Sequence, residues 1–259
     1  MASGFVVENT TSLKKDSVKY VKRPLTVTSM KSSLRNLLAV SALAGACFTA
    51  SAQVNIGLDP NASWQGFMNV FEIPQNGGGY VFGSSWGTAD LRASFSGTTL
   101  TLRANTIGDP NPFWYSPSGG PGAIGNKTMD ANMYVETTGA FAGQTVNFSA
   151  VVLNNNLVGA VNQLGNGWTA VAFIKDFAPD YSSSVSVTAP LTPGLFNISL
   201  AAINDPNRHV QYGFEVIGSD VWAGDPLSFN QIQVVPEPSS LALLGLGACG
   251  VICGWRRRK

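Results

Sequence analysis

In Thr98-Thr-Leu-Thr-Leu-Arg103, and again in Val146-Asn-Phe-Ser-Ala-Val151, apolar side chains alternate with polar ones. Successive side chains of an extended strand point to opposite faces, so a period of two gives one face to a core and the other to water. The same alternation recurs through residues 53–235. It predicts strands at Phe67 to Ile73, Tyr80 to Ser84, Ala89 to Phe95, Thr98 to Ala104, Met133 to Thr138 and Thr145 to Leu153. Further strands are expected at Trp168 to Lys175, Ser183 to Thr188, Leu195 to Ile203, Val210 to Ile217 and Phe229 to Val235. Only Ser96-Gly97 separates Phe95 from Thr98, so Ala89 to Ala104 reads as a hairpin. Short strands between turn signals, without a convincing amphipathic helix, place the chain in the all-β class. The expected architecture is a single antiparallel β-sandwich of jelly-roll type. A body of this length can bury a core without staples, and one domain is the economical count.

The two ends carry a different chemistry. The last 24 residues begin with Pro236-Glu237-Pro238, continue through an apolar run from Leu241 to Trp255, and close on Arg256, Arg257, Arg258 and Lys259. Each proline fixes its own φ and biases the residue before it toward extended geometry, so the main chain at Glu237 stays open to a processing enzyme. The run of 15 residues, or 18 counted from Pro238, makes a short transmembrane helix. As a helix it reaches roughly 22 to 27 Å against an apolar bilayer core of about 30 Å. Terminal cations stay on the cytoplasmic side and leave the body outside.

At these residues the chain resembles the PEP-CTERM sorting signal, the bacterial tail handled by exosortase-type membrane proteases. The resemblance covers residues 236–259 and implies an exported protein of a Gram-negative-type bacterium that makes extracellular polysaccharide. The tail would be removed or exchanged near Pro236, after at least transient anchoring in the inner membrane with the C-terminus cytoplasmic. Pro236, Glu237, Pro238, Arg256, Arg257 and Arg258 are the sorting residues it implies. The tail is also described as an ice-binding protein C-terminal domain, a label that does not itself imply ice binding. An ice-adhesion reading needs a flat array of threonines, and Thr99 and Thr101 supply one strand's worth.

Residues 1–29 carry Lys14, Lys15, Lys19, Lys22 and Arg23 without helical periodicity and precede a second methionine, Met30. They read as an upstream extension from a mis-called start. Residues 30–52 then read as a signal peptide: Lys31 and Arg35 first, an apolar stretch Leu37 to Phe48, and Ala50-Ser51-Ala52 as the signal peptidase site. Ala44 stands three residues before Cys47, where a lipoprotein signal usually has leucine, so cleavage after Ala52 is the preferred reading.

Between these ends the body has five cations against twelve anions, a net charge of −7, although the whole chain is at +1. Without a basic cluster it is not a nucleic-acid binder, and the charge suits a soluble exported domain. Cys47, Cys249 and Cys253 all lie in the ends, which leaves the body without a disulfide framework, a thiolate metal site or a cysteine nucleophile.

The triplet Asp-Pro-Asn occurs at 59–61, 109–111 and 205–207. It predicts three turns, Asp accepting from the following backbone and Pro setting φ. Calcium held by these loops with Asp220 and Asp225 is the functional rival. No loop has the EF-hand spacing, and no cofactor is expected.

Gln211 to Asp225, followed by Phe229 to Val234, is similar in pattern to the last strands of galactose-binding-like and carbohydrate-binding-module sandwiches. That similarity implies sugar stacking on aromatic rings, and Trp114, Tyr115, Trp168 and Trp222 are the candidate ligand-binding residues on loop-like stretches. Gly83-Ser84-Ser85-Trp86-Gly87 fits a nucleophile elbow in letters only, because that motif needs a strand-to-helix turn. His209, the one histidine, reads as a loop residue, solvated or capping.

The expected function is an exported surface or matrix protein with a non-catalytic structural or polysaccharide-associated role. An extracellular glycan-active enzyme with a carboxylate pair is the alternative. The expected partners are an exosortase-type protease, the secretion machinery, extracellular polysaccharide, and the membrane through the C-terminal helix, with no nucleic acid.

Overall fold

The computed structural model of the chain describes residues 52–238. Ala50, the apolar run from Leu241, and Arg256, Arg257 and Arg258 lie outside them. Among the described residues no helix is long and apolar enough to cross a membrane.

The strands in chain order are β1 Gln53–Gly57, β2 Gln65–Glu72, β3 Tyr80–Trp86, β4 Ala93–Ser96, β5 Thr99–Arg103, β6 Tyr115–Ser116 and β7 Ile124–Gly125. They continue with β8 Lys127–Thr138, β9 Thr145–Asn155, β10 Thr169–Phe177, β11 Ser184–Pro190, β12 Gly194–Ala201, β13 His209–Ser219 and β14 Gln231–Val235. One six-stranded sheet runs β11-β10-β13-β8-β2-β3, antiparallel throughout.

The other six-stranded sheet is built around β9. Along one edge of β9 lies β12, from Ala201↔Thr145 to Gly194↔Val152. Two strands placed end to end share the opposite edge. β1 takes Thr145 to Ser149 in parallel, and β14 takes Val151 to Asn155 in antiparallel, with β5 and then β4 beyond it. The expectation of a wholly antiparallel sandwich is corrected at β1. The chain enters where β9 begins, with the Thr145 N–H donating to Ala52 O at 2.8 Å. It therefore runs in the direction of β9 to fill the length that β14 leaves open.

The inner faces of the two sheets meet in one core. Alternate residues of β8 (Met129, Ala131, Met133, Val135), β13 (Val210, Tyr212, Phe214, Val216) and β9 (Val146, Phe148, Ala150, Val152) are buried in it. Phe148 of one sheet stands 5.3 Å from Tyr212 and 5.5 Å from Phe214 of the other. A ring buried to that degree contributes about 2–3 kcal/mol.

Every expected strand falls on an observed one, with three adjustments. β8 starts at Lys127, six residues before the expected Met133. Ala89 to Arg92 forms a turn, with Arg92 at φ +58°, and the hairpin loop is Gly97-Thr98 closed by Ser96↔Thr99. β1, β6 and β7 have no counterpart among the expected strands. The three Asp-Pro-Asn triplets are turns, each with the Asn N–H donating to the Asp Oδ1 at 2.9 Å.

Registers such as Glu72↔Lys127, Ser219↔Thr128 and Thr169↔Ile217 bring segments 73–79, 104–126, 156–168 and 220–230 to one end of the two sheets. The small β6-β7 ribbon lies within the longest of them.

Candidate functional site

The first feature with functional geometry is where the body hands over to its tail. β14 descends along β9 as far as Val235↔Val151, and β1 already occupies that edge up to Gly57↔Ser149. The chain cannot continue along β9, and Pro236 has no N–H to offer a ladder. It leaves the sheet there, and Glu237 and Pro238 are exposed. The Pro-Glu-Pro triplet thus stands clear of the fold directly after a strand anchored between two neighbours. At the other end Ala52 is exposed immediately before β1.

The second feature is the outer face of the antiparallel six-stranded sheet, where alternation sets polar residues in a row across strands. Lys175 on β10 bonds Glu215 on β13 at 2.7 Å and Asn132 on β8 at 2.9 Å. Asn132 donates to Asp130 at 2.6 Å, and Asn69 on β2 donates to the other Asp130 oxygen at 3.0 Å. Burial, followed by the Glu215 charge, raises the Asp130 carboxyl above its ordinary range. Asp130 lies opposite Ile217 and Glu215 opposite Asn132, so the two acids are diagonal cross-strand neighbours, about 7–8 Å apart at Cα.

Further along the same face Glu136 accepts from Gln211 at 2.6 Å and from Tyr181 Oη at 3.0 Å. The network is buried at Asn132 and Gln211 and open at Tyr181, which is 49% exposed. Its floor is apolar. Phe173 lies opposite Gly213, whose missing side chain lets β8 come close, and the Lys175 ammonium sits 4.1 Å from the Phe173 ring centre.

Of the four candidate rings, Tyr115 and Trp168 are buried and Trp114 and Trp222 part-buried. Tyr115 is fully buried, its hydroxyl accepting from Ile107 N at 3.0 Å and lying 2.8 Å from Ile107 O. Burial pushes that phenol above its ordinary range. Trp222 meets Tyr115 edge to face at 5.3 Å and is part-buried. Trp114 packs against Phe113 at 4.6 Å and Phe82 at 6.3 Å. Trp168 is 3% exposed, with Gly218 leaving room for its indole. Tyr115 and Trp222 come together, but neither Tyr115 nor Trp168 offers a ring face to solvent.

Ser85 lies within β3 with no helix after it, and Ser84 Oγ accepts from Trp86 Nε1 at 2.9 Å. His209 is not a loop residue. It opens β13, stacks on Tyr181 at 4.5 Å and 5°, and has Thr138 Oγ1 2.9 Å from Nδ1.

The outer-face residues were absent from the sequence candidates. Their signal is the alternation Thr128-Met-Asp-Ala-Asn-Met-Tyr-Val-Glu136, which sends Asp130, Asn132, Tyr134 and Glu136 to one side.

No curated protein and no solved structure matches the chain. Residues 234–259 match the PEP-CTERM protein-sorting motif, beginning on the last residues of β14 and taking in the exposed triplet. The chain is therefore an exported protein whose tail is sorted and processed by an exosortase.

Proposed function

We propose that the body is a non-catalytic, polysaccharide-associated surface domain, a sandwich of jelly-roll type that meets glycan through the outer face of its antiparallel sheet. The carrying observation is the row Asn69, Asp130, Asn132, Lys175, Glu215 across β2, β8, β13 and β10, continued by Gln211, Glu136 and Tyr181. Amides and carboxylates fixed by one another form a rigid hydrogen-bonding surface, and Tyr181 adds an exposed ring beside it. Both Asp130 oxygens accept from protein amides and Glu215 is held by Lys175, an arrangement that suits holding a ligand. The tail supplies delivery: transient anchoring with its C-terminus in the cytoplasm, then exosortase processing beside Pro236.

A second reading, an extracellular glycan-active enzyme, is favoured by one observation: Asp130, its carboxyl raised, stands diagonally across from Glu215. Two acids on neighbouring strands of one sheet face are the residue types that glycoside hydrolysis uses.

One experiment separates the two. The full-length chain, purified in detergent, is offered bacterial and plant polysaccharides while released sugar is assayed in the same wells. Retention without release, lost in Tyr181→Ala, supports the binding face. Released sugar that disappears in Asp130→Asn makes the protein an enzyme, and the absence of both retention and released sugar with every polymer overturns both readings.

A further inference from the structure

The two six-stranded sheets divide the charge of the body unequally. β1, β4, β5, β9, β12 and β14, the strands of the mixed sheet built around β9, carry no aspartate or glutamate, and Arg103 is their one charged residue. The acids of the body lie on strands of the antiparallel sheet and in the loops. Alternation gives the outer side of the mixed sheet hydroxyls and amides in their place: Thr101, Ser149, Asn197, Gln233, and Asn147 donating to Asn55 at 2.8 Å.

An apolar row crosses this neutral face. Leu195 on β12 and Val235 on β14 both pair with Val151 on β9, and residues in register on neighbouring strands point to the same side of a sheet. Their chain neighbours Phe196, Val152 and Val234 are buried in the core, so the row faces outward. Leu195 is 63% exposed, and Leu153, two residues along β9 from Val151, is 53% exposed. Single exposed leucines are ordinary on a protein surface. This row is set apart by what leaves the sheet beside it.

Val235 is the last residue of β14. The core closes the inner side and β1 occupies β9 ahead of it, so the chain passes out over or beside the outer face. Five residues, Pro236 to Ser240, separate Val235 from the apolar run that begins at Leu241. Even fully extended, that linker spans at most about 20 Å. An anchored tail therefore holds this part of the sheet within that distance of the bilayer, and the row at the exit belongs to the near surface.

We infer that the outer face of the mixed sheet rests on the lipid bilayer while the tail is anchored, with Leu195, Leu153, Val151 and Val235 at the headgroup boundary. The inference rests on the proposed transient anchoring of the tail. Adhesion of a surface to lipid grows with the apolar area it buries and with its attraction to anionic headgroups. A face without acids meets such headgroups unopposed, whereas the antiparallel sheet would bring Asp130, Glu136 and Glu215 against them. The row of Asp130, Glu215 and Tyr181 is then turned away from the membrane.

The test reconstitutes the full-length chain in vesicles of phosphatidylethanolamine and phosphatidylglycerol. With Cys47, Cys249 and Cys253 replaced by serine, the environment-sensitive fluorophore NBD is attached through Leu195→Cys or, on the outer face of the antiparallel sheet, Ser186→Cys. Both positions are exposed, so neither label disturbs the core. The expected result is blue-shifted emission at position 195 that is lost when the vesicles contain nitroxide-labelled lipid and that resists aqueous iodide, with position 186 showing the reverse. Leu153→Glu, at another exposed position, should weaken the lipid quenching at position 195 while the chain still floats with the vesicles on a density gradient. Flotation with position 195 no more quenched by lipid than position 186 overturns the inference and leaves the anchored tail standing. Shielding from iodide without lipid quenching also overturns it, because the face is then covered by a second copy of the chain. Lipid quenching equal with and without Leu153→Glu overturns the role of the apolar row. A chain that does not float overturns the anchored tail, and this inference with it.

Discussion

Replacing Asp220 by Asn tests the electrostatics of the loop end without reference to any ligand. Burial drives the Asp220 carboxyl up to about 7, a cost that the bond from Lys127 N–H only partly offsets. An aspartate in the unfolded chain titrates near 3.9. Between these values the folded state binds a proton that the unfolded state has lost, so stability falls as pH rises through that window and levels off above about 7. A gap of about 3 units at 1.36 kcal/mol each makes the ionised group cost roughly 4 kcal/mol at and above neutral pH. Asparagine has nearly the same shape, keeps an acceptor for Lys127 N–H, and does not titrate. Urea unfolding of both chains at about pH 5, 6 and 8 should therefore show the variant gaining on wild type by roughly 3 kcal/mol from the lowest to the highest pH. Working with the difference cancels the other acids. A variant-minus-wild-type difference that stays level across this range refutes the reasoning, because it would mean that Asp220 ionises as easily folded as unfolded.

The buried pair at the opposite end should be far more sensitive. Asp176, 1% exposed, accepts from Arg208 Nε at 2.8 Å and from Ile203 N at 2.8 Å. Arg208→Ala should therefore cost about 3–5 kcal/mol in urea unfolding by stranding a carboxylate, and a loss below about 1 kcal/mol would show that water replaces the guanidinium. Phe148→Ala, emptying the contact between the sheets, should cost about 3–5 kcal/mol in the same assay. Gly218→Ala puts a methyl into the Trp168 indole and should destabilise by about 1–3 kcal/mol, with unchanged midpoints refuting the close packing. Deleting residues 53–57 bares the Thr145 to Ser149 edge of β9 and should drive self-association visible by size-exclusion chromatography; a monomer would show that the edge is covered in another way.

What the sequence made legible was local. Period-two alternation at Thr98 to Arg103 and Val146 to Val151 is complete within a few residues, and each Asp-Pro-Asn turn is closed by its own aspartate. The tail was legible for the same reason, its prolines, apolar run and cations being contiguous. The parallel β1 was not, since its amide link from Asn147 to Asn55 spans 92 residues and Gln53 to Gly57 is short and turn-like alone. The front half of β8 was obscured by Asp130 and Asn132, types depleted in strands. They are tolerated because Asn69 and Lys175, on two other strands, satisfy them. Ring positions were the least legible: Trp114 and Tyr115 are adjacent, yet one is part-buried and the other sealed by the Ile107 main chain.

The sharing of one β9 edge by β1 and β14 ties fold to sorting. The matched sorting motif and the segment expected to be a signal peptide adjoin strands that stop against each other, Gly57 near Ser149 and Val235 at Val151. The core residues lie inside that interval, from Leu58 to Val234. Cleavage after Ala52, as expected from the sequence, would remove the carbonyl that Thr145 N–H bonds at the rim of the sheet, and cleavage beside Pro236 would remove nothing that pairs with β9. Processing at both ends would thus leave the core whole, while Pro236 and Pro238 lack the N–H groups that would extend the ladder. Substituting both prolines by threonine, a good strand residue with an N–H, should slow exosortase processing in a strain carrying the protease while unfolding midpoints hold. Processing unchanged by that substitution would refute the view that the triplet works by keeping the chain open.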